Sequence, residues 1–468
     1  MPKDRCMHKK SQAISKILGS KEALLVFIAV FIVLAAHIAL TKTFPLPYDE
    51  SFHFGLIKLY THHLNPFLAS QPAGGNAFGA VARNPSYLYH YLMSFPLRLI
   101  SLFTLVTIKQ VVALRVIDIC FGVISLVLLK KLATRFGASA AMANLAVLAL
   151  AITPVFYDVS GQINYDNLLI PLTLFTVIWT VDLIKAIRQG RVSFSRLGLL
   201  LTLLLLTSLV KFAFLPIMAV IGIYVTALLL MQSLRRHHLK WAVKWKSWAT
   251  VLTVVGVLIS GALWVQRYGV NLVEYHTPVP QCNAVLSISA CSNYAPWYRN
   301  YELHQTYAQH PIKGLELGTF TRVWLRSMYD DVYSIAYKQA NIVVFKPIRG
   351  IVIAADFILV SALLYGVIQW RRAKGTNIPW LFLGLVIFGY VLALWGRNFS
   401  DFHNLGALIG VQGRYMLLIL PIIYALSARM YTLLTQQLHS AHLSVMITRF
   451  SITGKTRNRK STGLLRKL

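Results

Sequence analysis

The chain has 468 residues, of which 56% are hydrophobic and only 13% are charged, and its mean hydropathy is +0.60. This composition excludes an ordinary soluble protein and indicates an integral membrane protein. A net charge of +31 suggests nucleic-acid binding in a soluble chain, but here the basic residues mark one side of a membrane, and no nucleic-acid partner is predicted.

The first predicted element is a membrane span at 22–43. Its centre, 23–40, carries no formal charge and nearly reaches the roughly 20 helical residues that cross a bilayer. The stretch that follows, TKTFPLPYDE, has no A-x-A-like cleavage site. We therefore interpret the span as an uncleaved anchor.

Basic clusters predict the sidedness of the later spans. They fall at 3–21, 130–135, 185–196, 235–246, 371–374 and 449–467, and the positive-inside rule places all of them in the cytoplasm. An even number of crossings must then separate neighbouring clusters. The further spans that satisfy this are 111–131, 139–157, 166–188, 193–210, 212–232, 247–268, 348–370, 378–396 and 413–435. The sequence thus predicts an all-α polytopic protein of about ten transmembrane helices in the cytoplasmic membrane, with both termini inside.

The segment 85–106 is apolar enough to cross, but a crossing there would place the N-terminus opposite every later basic loop. Pro96 and Arg98 in its middle, and tyrosines at its start, favour a helix that lies at the membrane interface. We predict that it lies along the outer surface.

This topology divides the chain into five parts. They are a basic cytoplasmic N-terminus (1–21), a transmembrane core (22–268) with an outer juxtamembrane segment (44–110), an outer loop domain (269–347), C-terminal transmembrane helices (348–437) and a basic cytoplasmic tail (438–468). Most of the fifteen acidic residues then fall outside. We therefore expect the chemistry on the outer face.

The stretch PLPYDESFHFG follows the first span directly. Pro45 and Pro47 stop that span, and a surface helix can restart at Asp49, which makes Asp49 and His53 i and i+4 neighbours. A helix N-cap is the simpler role for Asp49, but it does not account for Glu50 and His53 beside it. A carboxylate at a membrane-facing cleft can accept a hydroxyl proton as general base. Asp49 is therefore predicted to be catalytic, and Glu50 and His53 to contact the substrate or a metal.

Other ionisable residues are predicted at the same outer layer. Asp166 opens the fourth span, where an N-cap is an equally good interpretation. Lys211 is the only charge of its apolar hairpin; it can simply snorkel, yet ionisable residues in a membrane are functional candidates by default. Arg83, His403 and Arg414 complete the set of predicted substrate contacts, although arginine at a span end is more often an interfacial anchor.

Acids and cations at one membrane depth predict a type of ligand. The cations suit an anionic headgroup, and the carboxylates suit an acceptor hydroxyl or a divalent cation that neutralises phosphate. Asp49 and Asp166 are the candidate ligands of such a cation, Mg²⁺ or Mn²⁺. A lipid phosphate leaving group meets both requirements.

Two of the four cysteines, Cys282 and Cys291, share the outer loop domain. In an oxidising compartment they can form a short-loop disulfide, and two free thiols are the other possibility. No CxxC or Cys/His spacing indicates a zinc site.

Five stretches in this order resemble the GT-C integral-membrane glycosyltransferases, especially the protein O-mannosyltransferase and lipid A aminoarabinose transferase group. They are PYDESFHFG, ALRVIDICFGVISLVLLKKLATRFG, GQINYDNLLIPL, LVKFAF and QGRYMLLILP. The resemblance covers 22–232 and the region of Arg414. It implies a GT-C-like bundle with outer juxtamembrane helices, a catalytic or metal-proximal role for Asp49, and contact of Lys211 with a lipid phosphate.

Together these features predict a bacterial glycosyltransferase of GT-C type. It is expected to move a sugar, with inversion, from a polyprenyl-phosphate donor to a glycan, lipid or protein acceptor outside the membrane. Two other functions stay open: a lipid or polysaccharide transporter or flippase, whose pathway is also lined by charges, and an inactive structural subunit of an envelope glycan assembly.

Overall fold

The computed structural model describes residues 12–235, 240–242, 247–309, 316–333 and 379–437. The predicted span 348–370 and the basic tail 438–468 lie outside these ranges, as does most of the basic N-terminus. The sidedness of the two termini therefore stays a prediction.

The described residues form an all-α protein. Its helices are α1 Lys21–Thr41, α2 Glu50–Thr61, α3 Leu88–Ser101, α4 Thr107–Arg135, α5 Ala140–Ala151, α6 Pro154–Ser160, α7 Asp166–Arg188, α8 Phe194–Val210, α9 Leu215–Arg235, α10 Trp248–Trp264, α11 Val270–Tyr275, α12 Cys282–Val285, α13 Ile288–Cys291, α14 Ala295–Gln309, α15 Leu317–Val332 and α16 Trp380–Leu405. Short 3-10 helices cover Gly75–Phe78, Phe212–Phe214 and Gly413–Leu418, and residues 420–437 are helical. In the described part of the chain, the exception is a parallel pair of strands, β1 Arg191–Ser193 and β2 Lys240–Ala242.

Among the described residues, six stretches of helix are long and apolar enough to cross a membrane, at Lys21–Thr41, Thr107–Arg135, Asp166–Arg188, Phe212–Leu234, Trp248–Tyr275 and Trp380–Leu405. They coincide with predicted spans, so a multi-pass membrane protein is confirmed. The predicted total of about ten is not. The span expected at 193–210 is the shorter apolar helix α8, and the one expected at 413–435 begins as a 3-10 helix.

The span predicted at 139–157 is broken. α5 and α6 meet at an angle of 67°, and Pro154 is the first residue of α6. Proline cannot donate a backbone hydrogen bond, and it drives the residue before it, Thr153, into an extended conformation (ψ 118°). The helix therefore ends and restarts there.

Helix α7 lies at the centre of the bundle. In the apolar 18-residue stretch of α7, 72% of the residues are buried, compared with 22% in the corresponding stretch of α1. It packs against α4, α8 and α9, while α4 also contacts α1 and α5. The N-terminal end of α7, with Asp166 as its first residue, is consequently enclosed by protein on several sides.

The juxtamembrane segment 44–110 folds mainly as α2 and α3, which pack on each other. With 14 residues, α3 is shorter than the roughly 20 that cross a bilayer. The Arg98 guanidinium donates to the carbonyls of Tyr60, Thr61 and His63 and so joins the C-terminal ends of both helices. This pairing agrees with a non-crossing segment; its position on the outer surface stays a prediction.

Candidate functional site

The turn that follows α1 carries the candidate catalytic acid. Tyr48 and Asp49 both have left-handed backbone conformations (φ 67° and 68°), which cost a residue other than glycine about 1–2 kcal/mol each. The Tyr48 carbonyl accepts hydrogen bonds from Asn164 Nδ2 (3.1 Å) and Arg414 Nη1 (2.9 Å), which hold the turn. As a result, two adjacent acids face opposite ways: the Asp49 side chain is 55% exposed and Glu50 is fully buried.

Asp49 stands at the N-cap position of α2 but makes no side-chain hydrogen bond to the helix. Its carboxylate instead pairs with Arg414 (Nη2 to Oδ2, 2.9 Å). The guanidinium is buried, with 3% of the side chain exposed, and it lies over the rings of Tyr48 and Tyr415. Helix capping therefore does not explain this acid.

Lys211 forms a second ion pair beside the first. It occupies the extended break between α8 and the next 3-10 helix, and its ammonium lies 2.7 Å from Asp166 Oδ1. The same ammonium lies 4.3 Å from the ring centroid of Tyr165 and 4.6 Å from that of Tyr415. Burial lowers the pKa of Lys211, and the charge of Asp166 opposes that shift. Because Tyr415 touches both Lys211 and Arg414, the two cations share one site.

Two polar atoms of these ion pairs, Arg414 Nε and Asp166 Oδ2, are buried and have no hydrogen-bond partner among the described residues. A buried polar atom without a partner costs free energy unless a ligand or water completes it. A donor and an acceptor are therefore left for a bound molecule.

Asp331, at the end of α15, helps to place Arg414. Its Oδ2 accepts from the backbone N–H of Gly413 at 2.5 Å, at the start of the 3-10 helix that carries Arg414. Burial raises the pKa of Asp331, whereas the Gly413 bond and the charge of Arg414 lower it. This acid was not among the predicted site residues.

Glu50 was predicted to contact the substrate or a metal, but its carboxylate is buried in an ion pair with Arg115. The Arg115 guanidinium donates one hydrogen bond to each carboxylate oxygen of Glu50, both at 2.7 Å. The backbone N–H groups of Leu46 (2.8 Å) and Ile163 (3.1 Å) also donate to this carboxylate. The Arg115 guanidinium further reaches the carbonyls of α1's C-terminal end. With no exposed surface and four donors, Glu50 joins three chain segments and offers no free oxygen to a ligand.

His53 faces inward from α2 and forms a pair with His90 of α3, 2.9 Å between Nδ1 and Nε2. The His53 ring also lies edge to face against Tyr165, centroids 4.4 Å apart. Burial lowers the pKa of His90 to about 3. It lowers the pKa of His53 well below 6.5, with smaller contributions from His90, Arg414 and Lys211.

The neutral histidine pair predicts a dependence of stability on pH. A depressed pKa in the folded state means that acid favours the unfolded state, whose histidines titrate near 6.5. Stability is expected to be complete above about pH 6.5 and to fall as the pH drops toward 3, by up to about 1.4 kcal/mol per pH unit for each histidine. Thermal unfolding in detergent between pH 7.5 and 4.5 measures the slope. The variant His53→Asn/His90→Asn should flatten it, and an unchanged slope would contradict the assignment.

The structure does not bring the remaining predicted contacts into this site. Arg83 pairs with Glu274 (3.3 Å), partly exposed to solvent. His403 is exposed near the end of α16, where its ring lies 6.4 Å from that of Phe399. Arg83 is held by this ion pair to the segment after α10, and the end of α16 packs on α14 through Gly406 and Tyr307.

The carboxylates expected to hold a divalent cation are each paired with a cation, Asp49 with Arg414 and Asp166 with Lys211. Among the described residues, no group of three or more His, Cys, Asp or Glu side chains is placed to hold a metal. The donor set as arranged does not fit Mg²⁺ or Mn²⁺.

Several buried residues around the site were not predicted from the sequence. Arg115 and Asp118 of α4 are fully buried, and Asp118 accepts from Tyr89 (2.8 Å) and from the Asn164 backbone (3.3 Å). The sequence could have identified Arg115 and Asp118, because two opposite charges three residues apart inside a predicted span are unusual. His90 carried no comparable signal.

Comparison with known proteins adds no assignment: no family model, curated protein or solved structure matches the chain.

Proposed function

We propose that the protein is a glycosyltransferase of GT-C type that transfers a sugar from a polyprenyl-phosphate donor to an acceptor outside the membrane. One observation supports this most: a half-exposed carboxylate, Asp49, stands at the mouth of a buried site with two cations, Arg414 and Lys211. The site lies at the ends of apolar helices, where a lipid headgroup can enter from the bilayer.

The two cations have the chemistry to hold a phosphate. Arg414 Nε is a buried donor without a partner among the described residues, and the Lys211 ammonium has three protons, of which Asp166 accepts one. A lipid phosphate at this place would receive charge-assisted hydrogen bonds in a poorly hydrated environment, where such bonds are strong.

The proposed reaction is an inverting displacement at the anomeric carbon of the sugar. The acceptor hydroxyl gives its proton to the Asp49 carboxylate and its oxygen attacks the anomeric carbon. The bond between that carbon and the phosphate oxygen breaks on the opposite side, and its electron pair leaves with the phosphate, whose added charge Lys211 and Arg414 stabilise. The anomeric configuration is inverted.

The proposal is tested with purified full-length protein in lipid nanodiscs. Incubation with a polyprenyl-phosphate-linked hexose and a crude envelope fraction should release free polyprenyl phosphate and label an acceptor with the sugar. A flippase would move the lipid between leaflets with the sugar–phosphate bond intact, and a structural subunit would do neither. Either result would overturn the proposal.

Lys211→Met tests the phosphate contact. We expect it to weaken binding of polyprenyl phosphate by about tenfold or more, because a buried charge-assisted contact is worth about 1.5–3 kcal/mol. It should also lower stability, since Asp166 is left buried without its cation. Binding to nanodisc-embedded protein and thermal unfolding measure the two effects.

The double variant Lys211→Met/Asp166→Asn separates these effects. It removes both charges, so stability should largely recover while phosphate binding stays weak. Lys58→Met, an exposed lysine of α2, is the matched control and should change neither. Wild-type affinity in the double variant would show that Lys211 has a structural role only.

A further inference from the structure

The outer loop domain carries an ordered segment that ends beside the site. Cys282 of α12 and Cys291 of α13 are joined by a disulfide, with Cα atoms 5.8 Å apart, and both are buried. Ser287 caps α13 through the backbone N–H of Ala290. The backbone N–H of Tyr294 then donates to the Cys291 carbonyl at 2.9 Å. The position of Tyr294 is thus tied directly to the disulfide-closed segment.

The ring of Tyr294 packs on the juxtamembrane segment. It covers Gly79, where a Cβ atom would lie 2.9 Å from the ring and where φ is +76°, so both the space and the backbone require glycine. The ring centroid is also 5.8 Å from that of Phe52, and Phe52 in turn contacts Phe78 (5.9 Å). These three aromatic residues form one wall, which we call the aromatic wall.

Helix α14, which begins next to Tyr294, is held at its other end as well. Tyr307 lies on Gly406, where a Cβ atom would be 2.5 Å from its ring, and the ring of His304 lies 3.1 Å from the Asn404 carbonyl. A helix of 15 residues is about 22 Å long. α14 therefore bridges from the juxtamembrane segment to the C-terminal end of α16, on the outer loop side of the bundle.

The aromatic wall stands next to Asp49. Phe52 lies in the first turn of α2, three positions after Asp49, and its ring contacts that of Tyr294. Burial, with a further contribution from the charge of Asp49, raises the pKa of Tyr294 to about 12. The Tyr294 hydroxyl is therefore neutral, and the residue lies partly buried near the half-exposed carboxylate of Asp49.

We propose that the aromatic wall, with Tyr294 as its specificity-determining residue, contacts the sugar ring of the ligand. This inference rests on the proposed function. If the phosphate occupies the Lys211 and Arg414 end, the sugar attached to it must extend toward Asp49. Sugar rings present faces of C–H groups that pack on aromatic rings, and hydroxyl edges that hydrogen-bond to a tyrosine hydroxyl. The Cys282–Cys291 disulfide acts through the position of Tyr294.

The first test compares two lipids on the full-length protein in nanodiscs: polyprenyl phosphate, and the same lipid carrying a hexose. Tyr294→Ala should weaken binding of the sugar-bearing lipid by about tenfold and leave binding of the sugar-free lipid within about twofold. Tyr294→Phe, which keeps the ring, should retain most of the affinity. Tyr298→Ala, one helical turn later and 42% exposed, is the matched control and should change neither.

The outcomes distinguish the two proposals. Equal weakening of both lipids by Tyr294→Ala, or no weakening of either, overturns the sugar contact and leaves the phosphate site in place. Failure of the wild-type protein to bind either lipid overturns the donor assignment and the sugar contact together.

A second measurement tests the position of the wall without any lipid. In a background with Cys6 and Cys120 replaced by serine, Asp49→Cys places one thiol at the mouth of the site. A bulky maleimide should label it about tenfold faster after Tyr294→Ala or after Cys282→Ser/Cys291→Ser, and Tyr298→Ala should have no effect. Equal labelling rates in all of these variants would overturn the placement of Tyr294 beside Asp49.

Discussion

Asp49→Asn is expected to lower the rate of sugar transfer by about 100-fold or more, the range typical of a positioned general base. The substitution removes the proton acceptor and keeps the side-chain volume. Asparagine also tolerates the left-handed backbone conformation of this position (φ 68°), and the carboxylate does not cap α2, so the fold should survive. Sugar transfer and lipid binding, measured on the same nanodisc preparation, should show lost turnover with retained binding.

Asp401→Asn is the matched control for this result. Asp401 also faces an arginine, Arg397 at 3.7 Å, near the end of α16, and the pair is largely exposed. Its substitution should leave turnover within about twofold. Near-normal turnover of Asp49→Asn would exclude Asp49 as the base and would direct attention to Asp166, whose Oδ2 is buried without a hydrogen-bond partner among the described residues.

Arg115→Met is expected to destabilise the protein by about 3–5 kcal/mol, the usual cost of leaving one member of a buried ion pair uncompensated. Both side chains of the Arg115–Glu50 pair are fully buried. The guanidinium also holds the Ala39 and Lys42 carbonyls at the end of α1 (2.9 and 3.1 Å). Thermal unfolding in detergent and the yield of folded protein measure the effect.

Two further variants make this expectation specific. Arg115→Met/Glu50→Gln removes both charges and should recover a large part of the lost stability. Arg135→Met breaks the exposed pair with Asp182, whose side chains are 44% and 30% accessible, and should cost at most about 1 kcal/mol. If Arg115→Met unfolds at the wild-type temperature, the pair does not hold the turn that positions Asp49.

Local patterns in the sequence predicted the features that depend on neighbouring residues alone. Uninterrupted apolar runs predicted the candidate spans, because hydropathy and length decide whether a helix can cross a bilayer. Proline and charge inside 85–106 favoured the short α3 over another span. The prolines after the first span, followed by DESFHFG, predicted that a helix would restart there, as α2 does.

Contacts between distant segments decide which of the two adjacent acids, Asp49 or Glu50, meets solvent. Arg115, 65 positions along the chain from Glu50, draws Glu50 inward, while Arg414, 365 positions from Asp49, pairs with Asp49 at the mouth of the site. Tertiary packing likewise brought Tyr294 against Gly79 and left Arg83 and His403 outside the site. From the sequence we predicted Asp49, Lys211 and Arg414 near the ends of apolar segments, because hydropathy is a local property. Their convergence depends on contacts between distant segments, and hydropathy and residue spacing carry no information about those contacts.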